Sequence, residues 1–122
     1  MYFSCIASST EVDKNGLKFS PEALKQFEGI KGRIFASYDN SKPPVGTVHT
    51  AKVDGNKLRI TGTILPQFER QAKEMYVAPS CRMLDGYVDE NKDTVVRSLA
   101  PMAYGLVLKH ADPLATKVKE LK

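Results

Sequence analysis

The chain has no tryptophan, only two cysteines and only two histidines among its 122 residues. Each scarcity removes a class of function. A zinc site needs Cys, His or acidic ligands gathered at short spacing, whereas His49 and His110 stand alone. No metal and no cofactor are therefore expected. Cys5 and Cys81 could form one bridge by parity, but in a reducing compartment two free, partly buried thiols are the expectation. No apolar run approaches the ~20 residues that cross a bilayer, so no membrane partner is predicted. The opening Met1-Tyr2-Phe3-Ser4-Cys5 has neither a basic leader nor a long apolar stretch. The expectation is a product without a secretion signal that remains in the cytosol where it is made.

What is present describes one globular domain over residues 1–122. A hydrophobic fraction of 42% with 26% charged residues is enough to bury one core and argues against disorder. The net charge of +4 is mild. Its densest stretch along the chain is Lys109, Lys117, Lys119 and Lys122, interrupted by Asp112 and Glu120. A nucleic-acid surface wants clustered Lys and Arg with aromatics between them. The linear sequence lacks that, so no nucleic-acid partner is expected. The basic stretch reads as a solvated helix face, with attraction to an acidic protein surface left open.

Periodicity and punctuation then place the elements. Residues 2–8 alternate as a strand, with Phe3, Cys5 and Ala7 on one face. Asp13-Lys14-Asn15-Gly16 is a turn. Ser20-Pro21-Glu22 opens a short helix as N-cap, first helical position and first-turn acid, and Gly29 suits its left-handed exit. Residues 45–53 and 57–65 form a hairpin across Asp54-Gly55-Asn56. Leu58, Ile60, Gly62 and Ile64 share the core face, and Lys57, Arg59, Thr61 and Thr63 the wet one. Residues 66–75 predict a second helix, residues 80–88 a strand, and residues 94–99 and 103–109 two strands split by Pro101. Asp112-Pro113 predicts the cap of a last helix, with Leu114, Val118 and Leu121 on one side. The fold class is α+β or mainly β, an antiparallel sheet or small barrel with short helices at its margins.

Three segments and a hairpin then bring a family into view. They are residues 16–46, which run through Tyr38-Asp39 to Pro44-Val45-Gly46; Pro79-Ser80-Cys81-Arg82-Met83; and residues 99–115, which end in Ala111-Asp112-Pro113-Leu114-Ala115. The hairpin is Val53-Asp54-Gly55-Asn56-Lys57-Leu58-Arg59-Ile60-Thr61-Gly62. In order and spacing these resemble the phage prohead (capsid-maturation) serine proteases, whose fold is shared with herpesvirus assembly proteases. The resemblance runs over nearly the whole chain. It implies that Ser80 occupies the nucleophile position, Tyr38 the histidine position and Tyr104 the position near the third catalytic member.

Nucleophilic hydrolysis needs a base within reach of the hydroxyl and a group that orients that base. A phenol with a pKa of ~10 cannot take a proton near neutrality as an imidazole of ~6.5 can. On that basis Ser80, Tyr38 and Tyr104 are vestigial positions of a retired site. Hydrogen bonds among the three are an expected way to fill it. His49 shares parity with Val45, Ala51 and Val53, which turns it inward as the alternative base, although a satisfied, partly buried histidine is the plainer reading. His110 reads as a loop residue, and Asp39 as the cap of the turn after it. If Ser80 faces the old site, alternation sends Cys81 into the core as an inert thiol.

The resemblance with its vacancies implies a phage virion or capsid-assembly protein, either a head decoration or an auxiliary capsid protein, without proteolytic activity. Its partners would be the major capsid protein or other head proteins. It would reside in the virion after synthesis in the host cytoplasm. Two alternatives stand beside it: an active capsid-maturation serine protease that uses Ser80, and a phage-encoded module that binds a host protein.

Overall fold

Eight strands carry the chain in the computed structural model, which describes residues 1–121. They are β1 (Tyr2–Ser9), β2 (Leu17–Phe19), β3 (Gly32–Ala36), β4 (Gly46–Asp54), β5 (Lys57–Ile64), β6 (Tyr76–Val88), β7 (Thr94–Val107) and β8 (Lys119–Glu120). Two short helices, α1 (Pro21–Lys25) and α2 (Glu69–Ala72), sit at the margins. The strands form one curled sheet in the order β2-β7-β3-β4-β5-β1-β8, with β6 paired to β7. The result is a half-barrel, mainly β as the residue pattern predicts. Most pairings are antiparallel, but β2 and β3 both run parallel to β7.

The core fills the concave side. Phe3, Cys5 and Ala7 from β1 meet Leu58, Ile60 and Ile64 from β5 and Leu24 and Phe27 from the α1 region. Helix α1 begins as its sequence predicts. Ser20 Oγ accepts from the Ala23 N–H at 3.1 Å, Pro21 takes the first turn, and Gly29 leaves at φ +75°. The hairpin pairs Asp54 with Lys57 and keeps alternation down β5, where Leu58, Ile60, Gly62 and Ile64 are buried. Gly62 is required there, because a Cβ would lie 2.1 Å from the Thr47 carbonyl oxygen.

Four expectations change. The helix over residues 66–75 shrinks to a 3-10 turn at Pro66–Phe68 and the single turn α2, since neither start has a side-chain cap. The strand expected from residue 80 begins at Tyr76. The two strands expected around Pro101 are one strand, β7, and Pro101 pairs with Cys81 beside a register shift. A bulge absorbs the missing donor, so the strand need not break.

The fourth change matters most for the site: the last helix does not form. Asp112 caps only a turn, accepting from the Leu114 N–H at 2.9 Å. Beyond it the chain runs extended along the edges of β1 and β6. Thr116 N–H donates to Ile6 O, Val118 N–H to Met75 O and Leu121 N–H to Tyr2 O. A helix would spend these donors internally and leave the strand edges unpaired, which is costly for buried main-chain groups. Tertiary pairing overrides the i, i+4, i+7 pattern.

Candidate functional site

A cleft of about 450 Å³ opens between β1, β6 and the segment that follows β7. It is lined by Ser8 and Ser9, by Ala78 to Cys81, by Val107 and by Lys109 to Asp112, with Tyr38 beside them. The predicted nucleophile position, Ser80, therefore does lie in a concave site.

Tyr38 gets there through strained backbone. Ser37 and Tyr38 both adopt positive φ, at +49° and +60°, a conformation that costs a bulky residue roughly 1–2 kcal/mol. The Ser37 N–H donates to Leu106 O at 2.9 Å and the Asp39 N–H to Ala36 O at 2.9 Å, which pins the turn. Asp39 caps it, accepting from the Ser41 N–H. The turn lays the Tyr38 ring flat over Gly105, where a Cβ would stand 2.5 Å from ring carbons. Burial, and secondarily the nearby Cys81 thiol, push the Tyr38 phenol above its usual value. It stays protonated at neutral pH, so it can donate a proton in a hydrogen bond but cannot act as a base.

Tyr104 does not join this site. Gly105 faces Tyr38, so its neighbour Tyr104 faces the opposite side of β7 and is buried. There its hydroxyl donates to the Ile30 carbonyl at 2.8 Å. Burial pushes its pKa up to about 12. The expected cluster of Tyr38, Tyr104 and Ser80 is replaced by a Tyr38–Cys81 neighbourhood in the cleft and a separate core tyrosine.

The inward position expected for His49 is also corrected. A register shift between Val48 and Thr50 puts His49 on the bulge. It is exposed on the outer sheet face, with Nε2 3.1 Å from Thr63 Oγ1. The imidazole that the cleft does contain is His110. Its Nε2–H donates to Ala7 O at 2.7 Å, and its Nδ1 accepts from the Asp112 N–H at 3.0 Å. Both nitrogens are committed to main chain, which fixes the tautomer and leaves no lone pair for a substrate hydroxyl. Asp112 itself is buried and accepts from Ser9 Oγ. Among the described residues the Ser80 side chain makes no hydrogen bond, so it has neither a base nor an orienting group.

Cys81 packs partly against the core, as alternation beside Ser80 predicts, and it also reaches the cleft. Opposite the extra residue that β7 carries between Pro101 and Tyr104, both Ser80 and Cys81 line the cleft. Both thiols are free, with Cys5 buried and Cys81 half-buried. Burial pushes Cys5 up to about 12 and raises Cys81 as well. Titrating the folded protein with a neutral disulfide reagent should modify Cys81 slowly and leave Cys5 untouched until unfolding. Equal, fast reaction of both thiols would contradict this packing. No group of three or more His, Cys, Asp or Glu side chains that could hold a metal occurs among the described residues.

The linkage Ser9–Asp112–His110 is not legible in the sequence. Asp112-Pro113 was a visible capping signal, but nothing local could show that Ser9 donates to it across the seam. No family model matches the chain, and no curated protein or solved structure is significantly similar to it.

Proposed function

We propose that this chain is a non-proteolytic capsid-assembly protein of a phage, an auxiliary or decoration component built on a protease-like scaffold. One observation carries the non-catalytic half of the reading: Ser80 sits in the cleft without a base. His49 is on the outer face, His110 has both nitrogens committed, and the phenols of Tyr38 and Tyr104 are held above their usual range. Groups of a catalytic triad act as a unit, and losing them costs on the order of a millionfold in turnover. The capsid half rests on the ordered resemblance of residues 16–46, 53–62, 79–83 and 99–115 to the prohead proteases.

Incubation with a serine-directed fluorophosphonate should leave Ser80 unlabelled, and capsid or scaffold precursors should remain intact while capsid protein co-sediments with the chain. Label or cleavage that disappears in Ser80→Ala would overturn the non-catalytic reading. Failure to co-sediment with any head protein would overturn the capsid role, and recovery of a host protein in its place would favour the host-binding alternative.

A further inference from the structure

The convex side of the sheet gathers charges that the linear sequence scatters. Strands β3, β4, β5, β1 and β8 lie side by side in that order. In antiparallel pairs, directly opposed residues share a face. Arg33 opposes Thr47, Lys52 opposes Arg59, and Lys119 opposes Ser4, whose other neighbour is Thr61. Arg33, Lys52, Lys57 and Arg59 are exposed across from the buried side of their strands, and Lys119 is exposed on the edge strand β8. The carboxylate in register among them is Asp54, opposite Lys57. Glu28 lies at the β4 edge, where it accepts from the Val53 N–H, and Glu120 pairs with Lys73.

None of these five cations takes part in an ion pair among the described residues. Lys52 and Arg59 face each other directly, an arrangement of like charges that destabilises a sheet. A polyanion laid over the pair removes that cost. The same face also carries an exposed aromatic platform. Tyr2 opposes Thr63 and is 69% exposed, and His49 contacts the same threonine. Between them the Thr50 and Thr61 hydroxyls bond to each other, leaving a short polar floor.

We propose that this outer face binds single-stranded nucleic acid, with phosphates along Lys119, Arg59, Lys52 and Arg33 and a base stacked on Tyr2. Charge complementarity selects a polyanion. The exposed tyrosine beside the cations selects one with flat rings, because unpaired bases stack on aromatics while Lys and Arg track the backbone. A duplex is read by a helix or narrow ribbon that enters a groove, whereas this face is the broad outer surface of a curled sheet. An acidic protein would satisfy the charges as well, and competition by polyglutamate separates the two. This inference stands independently of the capsid reading.

Fluorescence anisotropy of the full chain with labelled oligothymidylate of roughly 20 nucleotides tests it, a length that exceeds the site of a single sheet module. Binding should weaken steeply with salt. The pair Lys52→Gln with Arg59→Gln should weaken it at least tenfold and flatten the log–log salt slope by about 1.4, for two phosphates at ~0.7 each. Tyr2→Ala should weaken binding roughly tenfold while leaving the slope unchanged, as loss of a stacked base predicts. Lys25→Gln, in α1, should change nothing. These side chains are exposed, and melting curves confirm each fold; Arg33→Gln with Lys119→Gln is a second pair should the first be unstable. No binding at low salt, or affinity unmoved by both charge pairs, would overturn the proposal. Polyglutamate or duplex DNA competing as well as the oligonucleotide would overturn the single-strand assignment.

Discussion

Tyr104→Ala is expected to be the most damaging single substitution, lowering unfolding free energy by about 3–5 kcal/mol, as for other large aromatic truncations in a core. A domain of this size has roughly 5–15 kcal/mol in total, so the variant should unfold at a much lower denaturant concentration. Tyr104 is fully buried, packs beneath Gly32, and bonds the Ile30 carbonyl at 2.8 Å. Two terms are therefore lost together: ring volume and a carbonyl's partner. Tyr104→Phe separates them. It keeps the volume and leaves the Ile30 oxygen without its donor, at about 1–3 kcal/mol. Chemical denaturation of the three proteins measures both steps. A Tyr104→Ala variant as stable as the parent would mean the ring sits in a cleft after all, as a catalytic-position residue would.

Asp112→Ala should cost about 2–4 kcal/mol, the range for removing a charged acceptor from buried donors. The Ser9 hydroxyl, itself buried, and the Leu114 N–H both lose their acceptor. The damage should be directional. Asp112 holds the start of the strap, whose Thr116, Val118 and Leu121 N–H groups pair with β1 and the segment before β6. Hydrogen exchange at those three amides should accelerate well before exchange in β4 and β5, since locally weakened segments open independently of the whole. Asp112→Asn, which retains an acceptor oxygen, should show a smaller effect. Unchanged exchange along the strap would show that the extended C-terminal run is held by other contacts.

The contrast between Tyr104 and Tyr38 explains how much of the site could be seen from residues alone. Both phenols stand at positions where the protease resemblance asks for catalytic groups, and the sequence gives no reason to separate them. The structure separates them by one step along β7: Gly105 supports the Tyr38 ring, so Tyr104 must face the other way. His49 fails for a related reason. Alternation predicts side-chain direction only while register holds, and His49 is the extra residue at a register shift. A bulge adds one residue to one strand and reverses everything inferred beyond it. The helix expected after Asp112 fails differently, because strand edges that lie far away in sequence compete for the same N–H groups.

Short-range physics is legible in the chain itself. The Ser20 cap with Pro21, the Gly29 exit, the Asp39 turn and the alternation of β5 all follow from residue chemistry acting over a few positions. So does the mainly β character of the chain. Only the tertiary structure decided which groups meet. It brought His110 to Ala7, Ser9 to Asp112, and Lys52 to Arg59 on one exposed sheet face. The basic face invisible along the sequence exists because strand pairing sets neighbours by hydrogen-bond register, and register couples positions that no local signal links.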